Sequence, residues 1–166
     1  MKTIFVKGEI EAYKLHTKTN EKFIDFRRGR FWTYDPGDSM QLGYEKVSFL
    51  DDAVKDPLVV GKCCDYRDFL DSYEAAVAAL GDNGMRLYWT EKLMEAGYQV
   101  PALIPSVSVV SPSAVIGQGE LVFVQTDGRR INTHTVVEHG VLINSGAVVD
   151  HDSYIASGAH IGLGSV

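Results

Sequence analysis

Positive charge is scarce in this sequence, and its scarcity narrows the possible partners. The 166 residues include 16 lysines and arginines against 22 aspartates and glutamates, a net charge of −6. Phosphate binding requires a basic surface, so nucleic acid is not expected as a partner. No apolar run approaches the ~18 residues of a membrane-spanning helix. The start, MKTIFVKGEIEAYK, lacks the apolar core and cleavage site of a signal peptide, so we expect no membrane partner and a cytoplasmic location.

Cysteine is also rare. Only Cys63 and Cys64 occur, and they are adjacent. Adjacent cysteines rarely pair with each other, so reduced thiols are expected. Two ordinary thiols are favoured over a redox or metal role.

Charge is distributed unevenly along the chain. Residues 1–100 hold 14 of the 16 cations and 17 of the 22 acidic residues. Residues 101–166 hold four of the five histidines, and only Arg129 and Arg130 as cations. Pro101 and Pro105 bracket the change. We therefore predict two domains, 1–100 and 101–166.

An aliphatic residue recurs at every sixth position in the second domain, with one interruption. A small or β-branched residue follows most of these positions by four. A period of six fits neither an α-helix nor a two-faced strand, but it is typical of a parallel β-helix whose three short walls form a coil of about 18 residues. The aliphatic residues are then expected to point inward and to stack between coils about 4.8 Å apart. They are Ile104, Val110, Ile116, Val122, Ile131, Val137, Ile143, Val149, Ile155 and Ile161.

The first domain shows alternating strand and helix signals. Strands are predicted at 2–6, 46–50, 58–60 and 75–80, with a short helix at 66–70 and a longer one at 85–96 that ends at Gly97. Residues 9–28 are mixed and are expected to be helical in part. This alternation predicts a small Rossmann-like α/β domain with a parallel sheet. Ligands bind beyond the carboxyl ends of such strands, where Asp51, Asp52, Asn83 and Arg86 fall.

Two long stretches carry a resemblance to a known family. They are IPSVSVVSPSAVIGQGE and INTHTVVEHGVLINSGAVVDHDSYIASGAHIGLG, and upstream FLDDA and ALGDNGMR add to them. The chain resembles sugar acyltransferases of the left-handed β-helix class, namely the sialic acid O-acetyltransferases and the UDP-linked amino-sugar N-acetyltransferases. The resemblance implies a left-handed parallel β-helix after a nucleotide-sugar domain. It also implies acetyl-CoA as co-substrate, a sugar or nucleotide-sugar acceptor, and a homotrimer with sites between two β-helices.

Residue roles follow from the same resemblance. His151 matches the general base, and Asp152 matches the carboxylate that orients its ring. His160 matches a histidine near the acetyl-CoA thioester. Asp51 and Asp52 match an acidic pair at the nucleotide site, and Asn83 and Arg86 match an Asn-x-x-Arg turn.

The chemistry of these residue types agrees with acetyl transfer. A histidine poised near neutral pH can take the proton of an amine or hydroxyl as that group attacks a thioester. A carboxylate on the other ring nitrogen fixes the tautomer and stabilises the imidazolium. His151 is at the third position of its six-residue unit, so it is expected to face outward. From the spacing alone, a solvent-exposed His151 without a catalytic role is as good an interpretation as a general base.

Several features depart from the family. Gly8 alone follows the first predicted strand, where a glycine-rich turn would receive the pyrophosphate. Three extra residues fall between Val122 and Ile131, so QTDGRR is expected to form a loop in which Arg129 and Arg130 meet a phosphate, a neighbouring subunit or only solvent. The chain ends fifteen residues beyond His151. We therefore expect a fragment that is impaired in binding acetyl-CoA.

Two other classes of function remain open. One is a non-catalytic trimeric β-helix scaffold. The other, less favoured, is a metal enzyme of the β-helical carbonic anhydrase type, in which three histidines bind the ion. His134 and His139 are suitably close in sequence, but Tyr98 occupies the position of the third ligand, and no metal ligand set is predicted.

Overall fold

The computed structural model describes residues 22–27, 46–53, 56–104, 108–119, 121–122 and 130–166. These residues belong to two compact units, which divide between Pro101 and Ala102. No described helix is long and apolar enough to cross a membrane.

The first unit contains a four-stranded parallel sheet. The strands run in the order β3-β2-β1-β4, and every pairing is parallel. The strands are β1 (Lys22–Arg27), β2 (Lys46–Asp51), β3 (Val59–Gly61) and β4 (Ala75–Ala78); a 3₁₀ helix covers Cys63–Phe69, and α1 covers Asn83–Ala96. The parallel sheet is confirmed, as are the strands near 46, 58 and 75 and the helices near 66 and 85. The strand at 2–6 lies outside the described residues.

One strand of this unit was not predicted. Residues 9–28 were expected to be helical in part; Lys22–Arg27 form the inner strand β1, and residues 9–21 and 28 lie outside the described residues. The sequence KFIDFR mixes charged and apolar residues without a clear period, so the local pattern is ambiguous. Pairing with β2 on one side and β4 on the other supplies hydrogen bonds that an isolated segment lacks, and that tertiary context decides the conformation.

Small residues in β4 allow close packing of the first unit. All four residues of β4 are buried, and three of them are alanine. Leu50 of β2 and Leu93 of α1 are completely buried in the adjoining core. The hydroxyl of Tyr98 donates a 2.6 Å hydrogen bond to the carbonyl of Tyr66, so a buried polar group is satisfied. Gly97, with φ of 100°, ends α1 as its sequence predicted.

The described residues of the second unit form nine short strands. They form three parallel sheets, β13-β10-β7, β11-β8-β5 and β12-β9-β6. Each strand therefore pairs with the third strand before it along the chain, and three strands make one coil. The strands are β5 (Val109–Val110), β6 (Val115–Ile116), β7 (Leu121–Val122), β8 (Arg130–Ile131), β9 (Val136–Val137), β10 (Leu142–Ile143), β11 (Val148–Val149), β12 (Tyr154–Ile155) and β13 (His160–Ile161).

The predicted inward row forms the core of this unit. Ile131, Val137, Ile143 and Val149 are at most 5% exposed. Small or β-branched residues at the turns of the walls are also buried at Ala114, Thr135, Val141 and Ala147. Partly buried residues of the same row pack against this core, namely Ile104, Val110, Ile116, Ile155 and Ile161.

The predicted interruption of the repeat is visible in the strand pairing. Val109 pairs with Arg130 in the first step of the stack, and Arg130 pairs with Val148 in the second. The first of these two intervals is the longer one, by the three extra residues that the sequence places after Val122. They therefore lie between β7 and β8, where the predicted QTDGRR loop falls largely outside the described residues.

A left-handed backbone conformation recurs at every sixth position from 134 to 164. Glycine occupies four of these positions, and His134 and Asp152, with φ of 56° and 57°, occupy the other two. This conformation costs a residue with a Cβ roughly 1–2 kcal/mol, and short polar side chains tolerate it best. The two exceptions are one coil apart. Such local strain often marks a functional site.

A side-chain network joins two adjacent coils of the second unit. The carboxylate of Glu138 accepts hydrogen bonds from the Tyr154 hydroxyl, the Ser157 hydroxyl (2.6 Å) and the Ser157 N–H (3.0 Å). These bonds, led by that of the Ser157 hydroxyl, lower the pKa of Glu138 from 4.5 to about 2. Since each bond joins one coil to the next, the ionised carboxylate of Glu138 stabilises the stacking of the two coils and acts as a brace between them.

We predict that this brace weakens in acid. Because the pKa of Glu138 is lowered in the folded chain, its stabilisation is complete above about pH 4.5 and is lost as the pH falls toward about 2. The thermal midpoint of the native chain should therefore fall more steeply between pH 6 and pH 3 than that of Glu138→Gln, as measured by circular dichroism. Glu91→Gln, on an exposed part of α1, is the control. Equal pH dependence in the native chain and Glu138→Gln would contradict the prediction.

Candidate active site

The turn between β11 and β12 carries the most distinctive side chains of the second unit. Asp152 adopts the left-handed conformation there, and its N–H donates a 3.0 Å hydrogen bond to the carbonyl of Thr133 on the preceding coil. The Thr135 hydroxyl donates a 2.9 Å bond to the carbonyl of Asp150. The turn is therefore fixed at two points while its side chains face outward.

His151 and Asp152 form a hydrogen-bonded pair. Nδ1 of His151 lies 2.8 Å from Oδ2 of Asp152. The two side chains are 64% and 69% exposed, so the ring has the outward position that its place in the six-residue unit predicts. The hydrogen bond to Asp152, followed by the charges of Asp150 and Asp152, raises the pKa of His151 above 6.5. In the neutral ring, Nδ1 carries the proton and Nε2 is the basic nitrogen.

Asp150 forms hydrogen bonds next to the His151–Asp152 pair. Its Oδ1 accepts a 2.8 Å hydrogen bond from the N–H of His151 and a 3.1 Å bond from Nδ2 of Asn132. These bonds, led by that of the His151 N–H, lower the pKa of Asp150, which is therefore ionised at neutral pH. Two carboxylates thus act on one imidazole.

The preceding coil brings a second histidine to the pair. Nδ1 of His134 lies 3.7 Å from Oδ1 of Asp152. The sequence interpretation missed Asn132 and His134 as neighbours of the site. The repeat could have predicted both, because Asn132 lies one full coil before Asp150 and His134 lies one full coil before Asp152.

His160 lies at the start of β13 and is exposed. Its Nε2 is 3.4 Å from Nδ2 of Asn144 on the adjacent coil. The sequence alone did not indicate Asn144 as a neighbour of His160.

Asp51 and Asp52 lie at the carboxyl end of β2, as predicted, and line an open cleft of about 650 Å³. Asp51 is buried, and its Oδ1 accepts a 2.7 Å bond from the N–H of Ala53. Oδ1 of Asp52 accepts a 3.1 Å bond from the N–H of Cys63. Asp56 and Asp65 also line the cleft, and Lys62 is the one cation in the part of the lining that the structure describes. The described lining is therefore strongly acidic.

Asn83 and Arg86 contact each other at the start of α1. Nη2 of Arg86 donates a 2.9 Å bond to Oδ1 of Asn83, and Nη1 donates 2.9 Å and 3.4 Å bonds to the carbonyls of Leu80 and Gly81. The Arg86 side chain has no exposed surface, and burial lowers its pKa to about 10. In this arrangement the guanidinium holds the turn between β4 and α1.

The described residues place a candidate general base on an exposed turn of the second unit. Within the described ranges, no group of three or more histidine, cysteine, aspartate or glutamate side chains is placed to hold a metal ion. Nδ1 of His139 is 3.2 Å from the Ser157 hydroxyl, and His134 is beside Asp152. The two histidines of the metal alternative are therefore engaged with different partners. The His151–Asp152 pair, in contrast, is an exposed base with an orienting carboxylate.

Solved structures with the same fold include sugar acetyltransferases. The acetyltransferase domain of PglB from Neisseria gonorrhoeae FA1090, in complex with acetyl coenzyme A, is 28% identical, with a TM-score of 0.76 over 85% of this chain and 70% of that one. PerB from Caulobacter crescentus, in complex with CoA and GDP-perosamine, is 24% identical, with a TM-score of 0.73 over 84% and 67%. A scan against protein-family models and a search of the curated proteins found no match.

These neighbours are left-handed β-helix sugar acetyltransferases. The resemblance that the sequence motifs carried is therefore confirmed.

Proposed function

We propose that this chain transfers an acetyl group from acetyl-CoA to an amino or hydroxyl group of a sugar or nucleotide-sugar, with His151 as general base. The observation that carries the proposal is the 2.8 Å contact between His151 and Asp152 on an exposed turn of the β-helix. The predicted enzyme class, an acetyl-CoA-dependent acyltransferase, is confirmed by the PglB domain, which was solved with acetyl coenzyme A. The base and the acceptor are proposals for this chain.

The proton transfer follows from the ring geometry. Asp152 occupies Nδ1, so the lone pair of Nε2 takes the proton from the acceptor as its nitrogen or oxygen attacks the thioester carbonyl. The carbonyl accepts the electron pair, and the CoA thiolate leaves as the carbonyl reforms. The carboxyl groups of Asp152 and Asp150 stabilise the imidazolium that appears in this step. We propose that His160 contacts the thioester end of acetyl-CoA.

The acidic cleft of the first unit is the proposed acceptor site. Carboxylates accept hydrogen bonds from sugar hydroxyls and base N–H groups, but they repel phosphates. Asp52 is exposed there, and Lys62 is the one cation among the described lining residues. We therefore propose that Asp51 and Asp52 bind the hydroxyl- or N–H-bearing part of the acceptor in a small Rossmann-like domain.

The PerB neighbour is bound to a nucleotide-sugar, GDP-perosamine, which supports an acceptor of that class. The homotrimer and the cytoplasmic location expected from the sequence belong to the same proposal.

Calorimetric titration of acetyl-CoA into the 166-residue chain tests the first requirement of this function. Saturable binding near one site per chain, followed by thiol release on addition of an acceptor, supports acetyl transfer. GDP-perosamine and UDP-linked amino sugars are the first acceptors to screen. If acetyl-CoA binds but no sugar promotes thiol release, the sugar acceptor is wrong. If acetyl-CoA does not bind, the non-catalytic scaffold is the better description of this chain.

We predict a characteristic pH dependence of transfer. His151 acts only as the neutral ring, so kcat should rise with pH through a pKa above 6.5. Asp152→Asn removes the largest cause of the raised pKa, so the midpoint should move to lower pH. The plateau should also fall about tenfold or more, because the tautomer is no longer fixed. The measurement is kcat between pH 5 and pH 9.

Asp71→Asn provides the control for that profile, since Asp71 is an exposed carboxylate of the first unit. Its profile should overlay that of the native chain. A midpoint that does not move in Asp152→Asn would show that another group governs the pH dependence.

A further inference from the structure

The contact between Asn144 and His160 determines more than the position of a side chain. We propose that Asn144 is a positioning residue that fixes the tautomer of His160, with the ring proton on Nδ1. This tautomer is a property of the His160 ring that can be measured without any ligand. Its functional consequence rests on the proposed acetyl transfer.

The orientation of the Asn144 amide is set by a neighbouring backbone group. Oδ1 of Asn144 accepts a 2.8 Å hydrogen bond from the N–H of Ser145. The amide oxygen must therefore face Ser145, and the amide nitrogen faces His160 at 3.4 Å from Nε2. A flipped amide would lose the bond to Ser145 and bring two N–H groups together.

The amide nitrogen of Asn144 determines which nitrogen of the His160 ring carries the proton. An asparagine NH₂ has two donors and no lone pair to accept a proton, so the contact is a hydrogen bond only if Nε2 of His160 is unprotonated. The neutral ring then carries its proton on Nδ1.

The backbone holds both partners in register. His160 pairs with Leu142 across the parallel strands β10 and β13. The N–H of Asn144 donates a 3.0 Å bond to the carbonyl of Ile161. The two side chains are therefore attached to neighbouring points of one sheet, and little conformational entropy is lost when they meet.

A defined tautomer gives His160 a defined role. The carbonyl oxygen of a thioester accepts hydrogen bonds but cannot donate one, so a histidine can form a hydrogen bond to it only through a ring N–H. If His160 lies at the thioester, as proposed above, Asn144 ensures that the ring offers Nδ1–H as a donor rather than a second base. His151 and His160 would then differ in function because each has a different partner on its ring, a carboxylate on one and an amide on the other.

The test is nitrogen-15 NMR of the histidine rings in the full-length chain, above the pH at which they titrate and without any ligand. His160→Gln identifies the signals of His160. We expect a protonated Nδ1 and a bare Nε2 in the native chain. Asn144→Asp keeps an oxygen for the Ser145 N–H but replaces the donor by an acceptor, so the proton should move to Nε2. A native His160 protonated on Nε2, or a tautomer unchanged in Asn144→Asp, would overturn the proposal.

A second variant and a kinetic measurement separate this inference from the proposed function. In Asn144→Ala, the hydrogen-bond donor to Nε2 is gone, so the fraction of His160 protonated on Nδ1 should fall. In Asn144→Asp, the KM for acetyl-CoA should rise about 2- to 10-fold, the effect of one hydrogen bond to a neutral group. The ring state is read without ligand, so failure of acetyl-CoA to bind would remove the proposed function and leave the tautomer result standing. An unchanged KM together with a reversed tautomer would refute the contact with the thioester.

Discussion

Replacement of His151 with asparagine should lower kcat for acetyl transfer by about 10²- to 10⁴-fold, the usual contribution of a general base. Asparagine is similar in size and can still bond to Asp152, but it has no basic nitrogen. His151 is exposed on a turn held by backbone bonds to the preceding coil, so the variant should fold normally. The measurement is thiol release at saturating acetyl-CoA, with circular dichroism to verify the fold. The KM for acetyl-CoA should change little.

His139→Asn is the matched control for that experiment. His139 is also on the β-helix, but its ring contacts the Ser157 hydroxyl and has no part in the proposed proton transfer. Its kcat should remain within about twofold of the native value, because a change that spares the reacting groups leaves the transition state unaffected. Equal losses in the two variants would indicate a general effect on the coil, and an unchanged kcat in His151→Asn would remove the base assignment.

The β-helix core could be predicted from the sequence because its period has one physical cause. Each six-residue unit must place an aliphatic side chain inside a narrow prism, so Ile131, Val137 and Ile143 repeat without knowledge of any partner. The spacing also locates the three-residue interruption between β7 and β8. Central strand β1 was missed, since KFIDFR has no such period and becomes a strand through its neighbours in the sheet.

The candidate site was predictable only in part. The motif indicated His151 and Asp152, whereas Asn132 and His134 belong to the preceding coil and come near through stacking. Counting back by one coil from the motif would have pointed to both. The hydrogen bond between Asn144 and His160 has no such signal, since their separation in sequence is not a whole coil. Contacts of this kind depend on the direction of side chains, which a sequence period does not specify.

Arg86 shows where a motif and its geometry suggest different roles. The resemblance implied a substrate contact, and the structure buries the guanidinium completely against the turn between β4 and α1. Burial among neighbours is a property of tertiary packing, so the local sequence ALGDNGMR does not reveal it. The two roles lead to opposite expectations for one variant.

Arg86→Met should destabilise the first unit by about 1–2 kcal/mol, since methionine fills similar space but leaves the buried carbonyl of Leu80 without its donor. The carbonyl of Gly81 and Oδ1 of Asn83 also lose their bonds to Arg86, but both belong to exposed residues that water can reach. An orphaned buried acceptor costs about 1–3 kcal/mol, and removal of a charge that burial already disfavours offsets part of that cost. Arg86→Lys should lose less, because an ammonium can still reach one acceptor. The measurement is urea unfolding.

Trp89 is the natural probe for this experiment, since it lies on α1 with its ring edge-on to Tyr66 at 5.6 Å. Trp32→Phe leaves Trp89 as the one tryptophan of the chain, so its fluorescence reports on this unit. Lys92→Met, a change on the same helix at an ion pair with Glu95, should leave the urea midpoint unchanged. If Arg86→Met kept the native midpoint and instead raised the KM for the sugar acceptor, Arg86 would be a ligand contact. A lower midpoint with an unchanged KM would establish that it holds the turn.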